Sequence, residues 1–154
     1  MWARSFLSAS LCAALWLAGA KATAERGARL FNGEEALSGR IRGHGETLPP
    51  EAVRCVNCHG ADAKAGLGRA AAPRIDEAWL VEFHQRRGGP PSRYDEATFC
   101  KLLRTGVDPA QILVARSMPT YELDEDQCGS LWSFLTGKNP QAGNKNAESQ
   151  REKR

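Results

Sequence analysis

The chain has 154 residues, of which 21 are basic and 18 acidic, and a formal net charge of +3. This length suits a single domain, and so small an excess of positive charge excludes the broad basic surface of a nucleic-acid-binding protein. Five cysteines are enough for disulfides, metal ligation or covalent attachment of a cofactor.

The first 24 residues have the pattern of a secretory signal peptide. Arg4 gives a short basic start, residues 6–20 are mostly apolar, and Ala22-Thr23-Ala24 offers the small residues that a signal peptidase requires. The alternative is an uncleaved membrane anchor, but the apolar run is short and Lys21 follows it at once. We therefore expect an exported, periplasmic protein that begins near Glu25 and has no stable membrane span.

A helix is predicted at the start of the mature chain, over residues 25–32. Leu30 and Phe31 are among its apolar positions, and Gly33 is a typical residue just after a helix end.

The most informative stretch of the sequence is Cys55-Val56-Asn57-Cys58-His59. Two cysteines three positions apart with a histidine directly after the second are the attachment pattern of a c-type haem. Each thiol adds to a vinyl group on one edge of the porphyrin, and the histidine supplies a nitrogen ligand to the iron. The alternative is a tetrahedral zinc site, which needs two more ligands and in compact zinc ribbons repeats the Cys-x-x-Cys pair. No second pair follows, so the sequence favours one covalent haem c held by Cys55 and Cys58.

Two further helices are predicted, over residues 77–87 and from Asp95 to Thr105. Four residues of the first fall on one face: Trp79, Leu80, Phe83 and His84. A Gly-Gly-Pro-Pro run ends this helix. Asp95 is a typical N-cap for the second helix, and Gly106 is expected to terminate it.

Met118 is the single methionine expected in the mature chain, and it lies just before Pro119. Methionine on the second face of a haem iron gives an electron-transfer site with a raised potential. The alternative is an adaptable core residue without a ligand role.

The last helix is predicted after Asp124, which forms a capping-box pattern with Gln127, and it ends at Gly137. Cys128 lies on its apolar face. With Cys12 in the signal peptide and two cysteines assigned to haem, Cys100 and Cys128 remain as a candidate disulfide pair, which an exported compartment permits. The alternative is two buried free thiols. Residues 138–154 are polar and are predicted to be a disordered tail.

Together these motifs resemble a class I mono-haem cytochrome c over residues 25–137. The resemblance implies an all-α fold, in which helices and Gly/Pro-rich loops wrap around one covalent haem. It implies that His59 and Met118 are the axial ligands of the iron. It also implies that the Pro73 carbonyl accepts the ring N–H of His59, and that Trp132 packs near Phe31 of the first helix.

The connection before the haem motif lies outside this pattern. Residues 33–54 are longer than the family's usual connection, and we expect an insertion that covers the haem edge or meets a partner.

Arginine matches a carboxylate with two hydrogen bonds, so a haem propionate has four candidate partners: Arg74, Arg86, Arg87 and Arg93. We favour Arg93, because Gly89-Pro90-Pro91 stiffens the preceding loop.

The expected function is electron transfer without substrate chemistry. The donor is expected to be a periplasmic dehydrogenase or a membrane complex, and the acceptor another redox protein or an oxidase. One alternative is a periplasmic oxidoreductase, or its haem subunit, with an accessible or exchangeable sixth site, for which His44 and the inserted loop are the only hints. A further alternative is a haem-based sensor. The sequence favours the carrier over the enzyme.

Overall fold

A computed structural model describes residues 23–60, 72–73 and 75–137 of the chain. The elements in chain order are helix α1 over residues 23–32, strand β1 Ser38–Arg40, a 3-10 turn Pro50–Ala52, α2 Val56–His59, α3 Glu77–Val81, β2 His84–Gln85, β3 Pro91–Ser92, α4 Glu96–Thr105, β4 Thr120–Glu122 and α5 Glu125–Thr136. Three of the predictions fall outside the described residues: the signal peptide as far as Ala22, the candidate Arg74, and the tail over residues 138–154.

The prediction of an all-α fold is wrong, because two small antiparallel sheets accompany the helices. In the first sheet β1 pairs with β4, and Gly39 lies opposite Tyr121. In the second, β2 pairs with β3, and His84 lies opposite Ser92. The strands are two or three residues long and contain Gly, Pro, Ser and charged residues. So short a strand shows no alternating apolar pattern, and therefore the sequence did not reveal it.

The helix predicted over residues 77–87 is also wrong in its second half. Helix α3 begins at the Asp76 cap, whose carboxylate accepts the Trp79 backbone N–H at 3.0 Å, and it ends at Val81. The chain then turns back as the β2–β3 hairpin through Arg87 and Gly88, which have φ of 51° and 76°. Because α3 ends at Val81, between the two pairs of the predicted apolar face, Leu80 is buried and Phe83 is exposed.

The predictions of α1, α4 and α5 are confirmed. Asp95 and Thr98 form a capping box at the start of α4, and Asp124 and Gln127 form another at the start of α5. Three glycines with positive φ follow the helices: Gly33, Gly106 and Gly137. These helices were predictable because their start and stop signals are local to each segment.

The core is formed where α1, α4 and α5 meet. A disulfide joins Cys100 of α4 to Cys128 of α5, with 5.8 Å between the Cα atoms. Helix α1 approaches α5 so closely at Gly27 that a Cβ atom there would overlap the Ser130 carbonyl. Two aromatic contacts complete the packing: Phe31 with Phe134, 5.6 Å between ring centroids, and Phe99 with Trp132, 5.5 Å. The ring that meets Phe31 is therefore that of Phe134, whereas Trp132 packs on α4.

Among the described helices, none is long and apolar enough to span a bilayer.

Candidate functional site

A cavity of about 710 Å³ opens between the helices and the loops that connect them. This volume lies in the range of sites that bury a cofactor-sized ligand. The wall is mainly apolar, with Leu102 and Leu103 of α4 and Leu131 of α5 among its residues. The wall also includes the four residues predicted to hold a haem: Cys55, Cys58, His59 and Met118.

The local fold of α2 brings the two cysteines and the histidine to one side of the chain. The His59 backbone N–H donates to the Cys55 carbonyl at 2.9 Å, and the Cys58 N–H donates to the same oxygen at 3.2 Å. Residues three and four apart on a helical turn are neighbours on its surface. The Asn57 side chain donates to the Glu51 carbonyl at 2.8 Å and anchors this turn to the preceding 3-10 turn. The sequence motif is therefore presented as one compact group.

The imidazole of His59 is held by a backbone carbonyl. Its Nδ1 lies 2.7 Å from the carbonyl oxygen of Pro73, the partner that the resemblance implied. Because a carbonyl oxygen only accepts hydrogen bonds, Nδ1 carries the proton in this arrangement. In the neutral tautomer with this bond, Nε2 is the nitrogen with the free lone pair, which is the arrangement that a metal-ligating histidine needs.

The Cys55 thiol is a neutral group. Burial raises its pKa to about 11, an effect that the nearby Tyr121 hydroxyl only partly offsets. The Tyr121 hydroxyl donates to the Val53 carbonyl at 3.0 Å, and burial raises its pKa far above the usual range for tyrosine.

Met118 is half-buried and lies in the wall of the cavity, between a turn and strand β4. Its backbone N–H donates to the Ala115 carbonyl at 3.0 Å, which closes the turn, and Pro119 follows. The wall residues that neighbour it in sequence are mostly apolar, namely Val114, Ala115, Ser117 and Pro119.

Among the described residues of the cavity wall, Arg86 is the most deeply buried cation, with 5% of its surface exposed. Its guanidinium lies 5.2 Å from the centroid of the Trp79 ring and 5.0 Å from that of the Tyr94 ring. It donates to the carbonyls of Ser92 and Trp79, while its Nε has no acceptor among the described residues. Asp108, also buried in the wall, has one carboxylate oxygen without a donor there.

Arg93, the arginine favoured from the sequence, has a different location. It is exposed, its guanidinium lies 5.1 Å from the centroid of the exposed Phe83 ring, and it is not among the wall residues. No sequence signal distinguishes Arg86 from Arg93, because burial of Arg86 depends on packing between the β2–β3 hairpin and α3.

The other two histidines make contacts outside the cavity wall. His44 is exposed, and its Nε2 accepts from Arg116 Nη2 at 2.9 Å. His84 is stacked on the Trp79 ring, 5.1 Å between centroids, and its Nε2 lies 3.1 Å from the Ala78 carbonyl. Neither histidine is among the described residues that line the cavity.

The zinc alternative finds no support in the part of the chain that is described. There, no three His, Cys, Asp or Glu side chains come together as a metal site. A tetrahedral zinc ion needs four such ligands, or three and a water molecule.

No protein-family model, curated protein or solved structure matches this chain.

Proposed function

We propose that this chain is an exported electron-transfer protein that holds one covalent haem c, and that it is similar in function to class I mono-haem cytochromes c. The observation that carries the proposal is the convergence of four residues on one apolar cavity: Cys55, Cys58, His59 and Met118. Such a haem supplies a one-electron couple at its iron. The remaining chemistry belongs to the side chains around it.

Each of these residues has a distinct role in the proposal. Cys55 and Cys58 lie on one helical turn and would form the two thioether bonds. His59 would ligate the iron through Nε2, and its hydrogen bond to Pro73 fixes the ring and raises the basicity of the ligand. Met118 would supply a second ligand to the iron and raise the potential of the couple.

The polar wall of the cavity fits a ligand with carboxylate groups. Arg86 Nε is buried and has no acceptor among the described residues, although the rest of its guanidinium is bonded. A buried donor without a partner is costly, and a propionate is the kind of acceptor that would satisfy it. We therefore assign the propionate contact to Arg86.

Electron transfer is proposed over catalysis because Met118 lies in the cavity wall and would take up the second ligand position of the iron. A catalytic haem needs an accessible iron face with polar groups above it. The proposed partners are a periplasmic dehydrogenase or membrane complex as donor, and a redox protein or oxidase as acceptor.

The visible and near-infrared spectra of the full chain, expressed with haem-attachment machinery, test the proposal. We expect haem that stays with the chain under denaturing conditions, a sharp reduced α-band, and the weak ferric band of an iron–methionine bond. Covalent haem without that band, together with rapid carbon monoxide binding, would favour an open-site enzyme or sensor. A chain without covalent haem would refute the proposal.

The ligand role of Met118 is tested by Met118→His. We expect the near-infrared band to disappear and the potential to fall by on the order of 0.1–0.3 V, within the ~0.8 V range over which axial ligands set haem potentials. Potentiometric titration measures the shift. His84→Gln is the matched control, and it should keep the potential of the parent chain. An unchanged potential in Met118→His would show that Met118 does not bind iron.

A further inference from the structure

The connection between α1 and α2 packs on the chain that follows Met118. Strand β1 pairs with β4, which begins two residues after Met118. The Thr120 hydroxyl donates to the Arg40 carbonyl at 3.3 Å. The Arg40 guanidinium forms an ion pair with the Glu122 carboxylate. One flank of Met118 is therefore attached to this connection by backbone and side-chain contacts.

The same connection also contacts the chain that precedes Met118. Arg42 Nη2 donates to the Val114 carbonyl at 2.8 Å. Arg116 Nε donates to the Arg42 carbonyl at 3.3 Å, and its Nη2 donates to His44 Nε2 at 2.9 Å. Both flanks of Met118 are thus bonded to residues 38–44.

The Arg42 guanidinium occupies a close space between the end of α4 and the Met118 segment. Gly106 ends α4 with φ of 73°, and a Cβ atom there would overlap Arg42 Nη1. The Val114 N–H donates to the Gly106 carbonyl at 2.9 Å. Val114 is therefore held by Gly106 at its N–H and by Arg42 at its carbonyl. The fit around Arg42 indicates that this side chain has a defined place and is not a mobile surface group.

We propose that residues 38–44 form a strap over the segment 114–122, and that Arg42 is a positioning residue that keeps Met118 on the iron. This inference rests on the proposed ligation of iron by Met118. A thioether is a weak, neutral ligand, so the fraction of molecules with Met118 bound depends on how firmly its segment is held. The strap would thereby set how readily an external ligand displaces Met118.

The test is a titration of the ferric holoprotein with imidazole, followed by loss of the iron–methionine band. We expect Arg42→Ala to bind imidazole about tenfold more tightly than the parent chain, because loss of a charge-assisted hydrogen bond raises the population of open segments. Arg116→Ala changes an exposed residue and so protects the test against a folding failure. It should shift the affinity in the same direction by a smaller factor.

Arg104→Ala is the matched control. Arg104 Nε also donates to a backbone carbonyl, that of Leu123, at 3.2 Å. Within the described chain, the hydrogen bonds and ion pair of Arg104 reach neither the strap nor residues 114–118. We expect its imidazole affinity to stay within about twofold of the parent value, although its thermal stability falls. The conservative Arg42→Lys variant keeps the charge without the planar fork, and we expect an intermediate affinity.

The outcomes separate this inference from the proposed function. An iron–methionine band in every variant, with equal imidazole affinity in the parent chain and Arg42→Ala, would overturn the strap and leave the ligation intact. An equal gain of affinity in Arg42→Ala and Arg104→Ala would also overturn it, because general loosening would then explain the effect. A parent chain with covalent haem but no such band would overturn Met118 ligation and the strap together.

Discussion

The surroundings of a side chain, more than its place in a loop, determine which ligand it can bind. Arg86 lies between two aromatic rings, and burial raises the pKa of the Tyr94 hydroxyl to about 12, so this neighbour stays neutral. The stiff Gly-Pro-Pro loop favoured Arg93 in sequence, but loop stiffness carries no information about burial. Only the fold shows that Arg86 is buried and Arg93 is exposed.

The difference between these arginines gives a direct comparison at the residue scale. We expect Arg86→Gln to lower the potential of the holoprotein by some tens of millivolts, the size expected for loss of one charge within roughly 10 Å of a redox centre. Removal of a cation favours the ferric state, which sets the sign. Arg93→Gln, measured by the same potentiometric titration, should leave the potential unchanged. A larger effect in Arg93→Gln would reassign the propionate contact.

At the scale of the element, the sequence predicted the helices whose start and stop signals lie within the segment itself. The caps of α4 and α5 are Asp95 with Thr98 and Asp124 with Gln127, each within one helical turn. The strands have no such signal. Strand β1 exists because β4, far along the chain, supplies its hydrogen-bonding partner, and pairing of this kind depends on tertiary context.

The disulfide between α4 and α5 is expected to stabilise the fold. Replacement of Cys100 and Cys128 by alanine together should lower the free energy of unfolding by about 2–4 kcal/mol, mainly through the entropy of the unfolded chain. Urea denaturation of the parent and the variant measures the difference. Treatment with reductant is the control, because it should destabilise the parent chain and leave the double variant unchanged. Equal sensitivity of both proteins to reductant would contradict the prediction.

At the scale of the whole molecule, the fold is closed by contact between its first and last described helices. Gly27 of α1 lies against the Ser130 carbonyl of α5, and Phe31 packs on Phe134. A side chain at Gly27 has no space without a shift of one helix. The sequence predicted both helices, but not this crossing point, because a glycine inside a helix has many explanations.

The crossing predicts a strong effect of one methyl group. We expect Gly27→Ala to lower the free energy of unfolding by about 1–3 kcal/mol through overpacking, despite the better helix propensity of alanine. Gly45→Ala is the control, since a Cβ atom there meets nothing within 4 Å. Urea unfolding of both variants provides the comparison. A stabilised Gly27→Ala protein would show that α1 and α5 can separate at little cost.

The candidate site was predictable only where its residues carry a local signal in the sequence. Cys55, Cys58 and His59 form a contiguous motif, and Met118 was singled out by its uniqueness and by the proline after it. The polar wall at Arg86 and the contacts of Arg42 arise from segments that meet only after folding. Residue type and spacing therefore predicted residues that line one cavity, but not the contacts of Arg86 and Arg42.

The meeting of α1 and α5 also has a consequence for the order in which the protein matures. The last wall of the cavity includes Leu131 and Leu135 of α5, which is near the end of the described chain. Because Leu131 and Leu135 belong to this wall, the cavity stays open until α5 packs on α1 and α4. If the chain holds a haem as proposed, we expect the haem to reach Cys55 and Cys58 before α5 docks, since both thiols must then be accessible.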